Sequence, residues 1–267
     1  MASGNQKDRR EFRRFVSKYE SELPALSLIH TTDFLTLSEI EMSGKLESLE
    51  EDSYYKTKTI YFFYGRPSYR IHPTVKNTRI SSFAPVCFVL KPSIDWKPAR
   101  VYPFDSGAFL NKRMQDVFHP SFKLEDFELG AERGSASAVV EAFYGSNANY
   151  IDCQPAHSHD QKAFGQRRLH RLETYLDLIE RFPNDGSDER LHSIEIQFEQ
   201  AVSLKGNLLA VIVPARFFDE TMKRELEAKW DCTVVFYSIK AVFSPSDIMG
   251  LVFDKVREVL VKDAQIS

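Results

Sequence analysis

Apolar and polar residues alternate along this chain with two different periods, and the pattern predicts strands and helices in uneven succession. Phe12, Phe15, Val16 and Tyr19 recur at helical spacing from Asp8 onward, with Arg9, Arg10, Arg13, Arg14 and Lys18 elsewhere on that helix. Residues 1–7 before it read as a disordered tail. A short strand follows at Leu26–Ile29, and Thr32 or Asp33 can N-cap a helix carrying Leu35, Leu37 and Ile40. Gly44 suits the left-handed residue that ends such a helix. The runs "TIYFFYG" (Thr59 to Gly65) and "PVCFVLKP" (Pro85 to Pro92) predict strands, and "ARVYPFDSGAF" a further short strand or turn.

The last third is more regular. In "SIEIQF" the period is two, with Ile194, Ile196 and Phe198 on one face and Glu195, Gln197 and Glu199 on the other. "NLLAVIVP" and "CTVVFYS" predict strands, "FFDETMKRELEAKW" a helix, and "SPSDIMGLVFDKVREVLVK" a terminal helix opened by Ser–Pro. Residues 111–190 read as an irregular insertion holding a short helix at "SASAVVEAFYG" and a longer one with Leu169, Leu172, Leu176 and Ile179 on one face. The fold class expected is α+β, in one domain over residues 1–267, without regular βαβ alternation.

Composition changes this picture little: 43% hydrophobic and 27% charged residues are ordinary globular usage. A net charge of -3 supplies no overall attraction to nucleic acid or membrane, so a polyanion site has to be local. Cys87, Cys153 and Cys232 form no even framework and no CxxC pair, which reads as thiols in a reducing compartment. No apolar leader is visible, and no run approaches the roughly 20 residues of a membrane span, so a soluble cytoplasmic protein with no membrane partner is expected.

Three places set reactive groups on or beside an apolar strand. His30 follows "LSLI" directly; it serves either a local backbone hydrogen bond or a ligand. In "YFFYGRPSYRI", Arg66 lies between Gly65, which permits close backbone approach, and Pro67, which directs the turn. An arginine there grips phosphate or carboxylate bidentately, or pairs with a surface Asp, while Tyr64 and Tyr69 stack, hydrogen-bond or pack in the core. Glu195 on "SIEIQF" is a solvated residue if its face meets water, and a rigidly placed carboxylate if that face lines a cleft.

In this order the three segments resemble the ADP-ribosyltransferase fold and are most similar to the DNA-targeting, DarT-like toxin family. "LIHTTDFLTLSEIEMSGKL" looks like that family's strand ending in His-x-Thr with its following helix. "YFFYGRPSYR" is similar to its aromatic strand running into Arg and then Tyr, and "SIEIQFEQAVSLKGNLLAVIVP" to its Glu-bearing strand. The resemblance covers the motif order from about residue 26 to 214 and leaves 85–190 unmatched. It implies a split β-sheet core with peripheral helices, with NAD as co-substrate and no metal. It makes Glu195 and Arg66 catalytic and His30, Thr31, Thr32, Tyr64, Gly65 and Tyr69 cofactor-binding; outside the resemblance, Gln197 on the face of Glu195 and Arg167 and Arg168 of a cationic cluster are the candidate substrate-binding residues. The implied acceptor is nucleic acid in preference to protein, and the implied setting is a bacterial toxin or anti-phage effector with an antitoxin as possible partner.

The residue types suit that chemistry. Cleaving the nicotinamide–ribose bond of NAD passes through an oxocarbenium-like state, which a carboxylate stabilises. The same carboxylate can take the acceptor's proton, while Arg and His fix the cofactor. Glu141 and Glu199 are rival carboxylates, the latter through the Gln-x-Glu order of Gln197 to Glu199. "CQPAHSHDQ", with Cys153, His157, His159 and Asp160, offers metal ligands without paired zinc spacing, and "GQRRLHR" is a local cationic cluster. "YPFDSGAF" contains Asp105, Ser106 and Gly107, a plausible ligand-lining turn. A metal-dependent nuclease and a non-catalytic binding protein are the alternatives. No P-loop, GxGxxG or GxSxG is present.

Overall fold

A computed structural model describes residues 10–69, 75, 77–94, 97–132, 134–156, 169–180 and 189–267. In chain order the strands are β1 (Leu28–Asp33), β2 (Lys45–Leu46), β3 (Ile60–Tyr64), β4 (Pro85–Leu90), β5 (Arg100–Tyr102), β6 (Glu195–Phe198), β7 (Val202–Ser203), β8 (Leu208–Pro214) and β9 (Thr233–Tyr237). The described α-helices are α1 (Glu11–Val16), α2 (Phe34–Ser43), α3 (Ser106–Leu110), α4 (Ser135–Phe143), α5 (Asn147–Ile151), α6 (His170–Glu180), α7 (Glu220–Trp230) and α8 (Pro245–Lys262). The protein is therefore a mixed α+β chain. It divides into two compact units, Met1–Pro24 with Trp96–Gln197, and Ala25–Asp95 with Phe198–Ser267.

The second unit is built on a sheet in the order β3-β1-β4-β8-β9. β1 pairs antiparallel with β3 and, along its whole length from Leu28↔Leu90 to Asp33↔Pro85, with β4. All of β4 is buried, as a continuous β-branched and aromatic run requires. β8 joins β4 antiparallel and β9 parallel, and α7 makes the crossover that a parallel pair needs. α8 packs against β4, β8 and β9. β2 and β7 form a separate two-stranded ladder.

β1 begins later and runs further than the predicted Leu26–Ile29, because β4 offers partners as far as Asp33. Thr31 and Thr32 therefore belong to a strand. Asp33 is the N-cap of α2, its side chain accepting from the Thr36 amide, and Gly44 closes the helix at φ 65°.

The first unit places β5 antiparallel to β6, with Tyr102↔Glu195 and Arg100↔Gln197 in register. Its core is aromatic: Phe12 of α1 stacks on Phe143 at 5.8 Å and meets Tyr175 edge-on at 5.1 Å. Tyr175 rotates the buried stripe of α6 to Leu172, Tyr175, Leu178 and Ile179, leaving the expected Leu169 and Leu176 half-buried. Arg171 on the same helix reaches Glu11 at 3.6 Å and Asp126 at 3.5 Å, with its guanidinium over the Phe122 ring. Residues 111–190, expected as an insertion, supply α4, α5 and α6 to this unit. The expected tail, residues 1–7, lies outside the described residues.

Candidate functional site

Within the first unit one carboxylate sits in a closed hydrogen-bond network. Glu195 opens β6 opposite Tyr102 and is only 1% exposed, so the polar face of "SIEIQF" is not solvated there. From β5 the chain passes through Pro103 and Phe104 to Asp105, whose Oδ1 accepts the Ala108 amide and caps α3. Ser106 is the first residue of that helix, where an amide has no partner inside the helix. It uses the amide on Glu195 Oε2 at 3.1 Å and the hydroxyl on Oε1 at 2.6 Å.

Gln197 lies two residues along β6 and faces the same side. Its Nε2 donates to Glu195 Oε1 at 2.7 Å and to Ser106 Oγ at 3.2 Å. Arg100 Nε donates to Gln197 Oε1 at 2.6 Å. A guanidinium has donors only, so this contact fixes which end of the amide points at Glu195. Behind the carboxylate, Tyr150 Oη accepts the Ile194 amide at 3.0 Å and pins the entry of β6.

The electrostatics of Glu195 are opposed. Burial penalises the charged form most, and the Asp105 carboxylate adds to it; the Ser106 and Gln197 hydrogen bonds pull the other way. The outcome is a carboxyl moved from 4.5 up to about 8.

Arg66 and the residues predicted to bind the cofactor lie in the second unit. His30 Nδ1 is 2.9 Å from the Tyr61 carbonyl, which can only accept, so Nδ1 carries the proton and Nε2 is left as the acceptor. Burial keeps this imidazole below its usual 6.5, with Phe62 at 5.5 Å and Phe88 at 6.4 Å from the ring. Tyr61 also donates its hydroxyl to Asp52 at 2.5 Å. Thr31 and Thr32 are half-buried in β1, opposite Cys87 and Val86.

Tyr64 is a core residue, 4% exposed, whose hydroxyl accepts the Leu26 amide at 3.0 Å. Gly65 turns the chain at φ 69°, donating its amide to the Ser27 carbonyl at 2.8 Å. Arg66 is buried to 2% exposure, with its guanidinium 5.6 Å from the Phe253 ring centroid. Tyr69 donates to Asp33 Oδ2 at 3.4 Å, and burial together with that carboxylate raises its phenol well above the usual value.

Glu195 and Gln197 are thus brought together with Ser106, Asp105 and Arg100 in one unit. In the other unit His30 is tied to Tyr61, and Tyr69 to Asp33. Arg167, Arg168, His157, His159 and Asp160 lie outside the described residues. Of the rival carboxylates, Glu199 is exposed and accepts from Thr57 Oγ1 at 3.0 Å, while Glu141 accepts from Ser21 Oγ at 3.5 Å. Among the described residues no group of three or more His, Cys, Asp and Glu could hold a metal ion, and no helix is long and apolar enough to cross a membrane.

Sequence reasoning found the Asp105–Gly107 turn but not its connection to Glu195, and it missed Arg100 altogether. Only the register Arg100↔Gln197 and Tyr102↔Glu195 reveals that β5 delivers both. No family model matches the chain, and neither a curated protein nor a solved structure is found to be similar to it.

Proposed function

We propose that the chain is an NAD-dependent mono-ADP-ribosyltransferase with an ADP-ribosyltransferase-like split sheet, modifying a macromolecule and most readily nucleic acid. The observation that carries the reading is the state of Glu195: a carboxyl on a rigid strand, held by three donors and moved to about 8. A group balanced near neutrality exchanges a proton with an acceptor and, when ionised, stabilises an oxocarbenium-like ribose. The resemblance gives His30 a ribose hydroxyl, and a neutral imidazole with its proton on Nδ1 keeps Nε2 as an acceptor. By the resemblance, the setting would be a bacterial toxin or anti-phage effector, with an antitoxin as partner.

The test is incubation with NAD labelled on its adenylate phosphate, together with separate DNA, RNA and protein pools. Label should pass to nucleic acid, and Glu195→Ala should lower transfer by about 100-fold or more. Undiminished transfer by that variant removes Glu195 from the mechanism. A second reading has its own observation: Glu195 is 1% exposed, with Ser106 and Gln197 donating to its carboxylate. A binding protein on this scaffold would retain NAD without consuming it, and equilibrium dialysis beside the transfer assay separates the two.

A further inference from the structure

We propose that Ser106 and Gln197 are positioning residues for the Glu195 carboxylate, and that Arg100 holds the Gln197 amide in the orientation this requires. The inference rests on the reading of Glu195 as the working carboxylate and extends it to the residues that aim it.

Gln197 was assigned to substrate from its place on the strand, yet it is 0% exposed and its side chain is engaged at both ends. Its Oε1 faces Arg100 Nε and its Nε2 faces Glu195 and Ser106. The reverse orientation would set a carbonyl against the carboxylate and the amide NH2 against a guanidinium, which is repulsive at both ends. Arg100 therefore acts on Glu195 through Gln197, across the β5–β6 ladder.

Ser106 reaches the carboxylate differently. Its amide and hydroxyl span both oxygens, one on Oε2 and one on Oε1, which fixes the plane of the carboxyl group. Asp105 caps the turn that presents Ser106 and is also the charge that opposes ionisation of Glu195. Among the described residues, Ser106 from α3 and Gln197 from β6 meet the carboxylate, Asp105 acts on it through its charge, Tyr102 of β5 lies opposite it in the ladder, and Arg100 meets Gln197.

A tie that only held β6 to α3 would shift the titration of Glu195 without moving the pH profile of transfer, so both are read. The titration of Glu195 is followed by carbon NMR of protein labelled at its glutamate carboxyls. The resonance missing from Glu195→Gln identifies the group. Ser106→Ala and Gln197→Leu each remove a donor to the ionised form and should raise the midpoint by about one pH unit. Arg100→Met should raise it too, because the released amide can turn its carbonyl inward. Ser106→Thr and Arg100→Lys keep the donors and should titrate as the wild type does. Circular dichroism and melting curves establish that each variant is folded.

Unchanged midpoints in folded Ser106→Ala and Gln197→Leu overturn the proposal. The pH profile of transfer from labelled NAD is measured on the same proteins, and its midpoint should move with the resonance. Midpoints that shift in a wild-type and variant series showing no transfer at any pH uphold the hydrogen-bond assignment and overturn the ADP-ribosyltransferase reading instead.

Discussion

A buried glutamate whose carboxyl titrates near 8 makes stability depend on pH in a definite direction. In the unfolded chain Glu195 has its ordinary value of 4.5, and in the folded protein it holds its proton up to about 8. Its favourable contribution is complete below 4.5 and is lost progressively as pH rises through 8. Between those limits the loss is at most about 1.4 kcal/mol per pH unit. Urea unfolding of the wild type should therefore show a midpoint that falls relative to Glu195→Gln as pH rises from acid to mildly alkaline. Parallel curves for the two proteins would show that the carboxyl ionises normally. Gly65 makes a separate prediction at this scale. Its φ of 69° suits a residue without Cβ, so Gly65→Ala should cost about 1–2 kcal/mol in the same measurement.

At the level of elements, helix ends were the features most readable in the sequence. Asp33 and Gly44 bracket α2 and Ser244 starts α8, each by local chemistry that does not depend on distant partners; Asp219 caps α7 in the same way, two residues after the start at Phe217 that the pattern suggested. Asp33→Ala and Asp219→Ala should each lower stability by about 1 kcal/mol, seen as earlier thermal unfolding. The loss at Asp33 should be the larger of the two. Its Oδ1 receives both the amide and the hydroxyl of Thr36, and its Oδ2 receives Tyr69.

Strand assignment was readable where runs were long and β-branched, as in β4 and β8. What could not be read was which strands become neighbours. Period two placed Glu195 and Gln197 on one face correctly, but whether that face meets water depends on β5 and α3, about 90 residues earlier in the chain. The same limit applies to α6, where four leucine and isoleucine positions suggested one stripe. The real stripe turns toward Phe12, an aromatic partner that local spacing cannot announce. Tyr64 shows the converse, since an aromatic beside a candidate site is a core residue once its hydroxyl is seen on the Leu26 amide.

At the scale of the whole molecule, each unit is assembled from two stretches far apart in sequence, so long-range ties must close it. In the first unit α1 supplies the tie through Phe12, fully buried among Phe127, Phe143 and Tyr175. Truncation of such a side chain leaves a cavity, and Phe12→Ala should cost about 3–5 kcal/mol. In the second unit the tie is polar. Gln265 accepts the Ser27 amide on Oε1 at 2.6 Å and donates from Nε2 to Ser27 Oγ at 2.8 Å, all of it buried. Gln265→Ala would strand a buried amide and hydroxyl at the start of β1, at a cost of about 1–3 kcal/mol. The two losses should be distinguishable by where they act. Native-state hydrogen exchange should show protection lowered in α4 and α6 by Phe12→Ala, and in β1 and the end of α8 by Gln265→Ala. A Gln265→Ala protein whose β1 amides exchange as slowly as those of the wild type would mean that the sheet pairing of β1 with β3 and β4 holds the strand without this clasp.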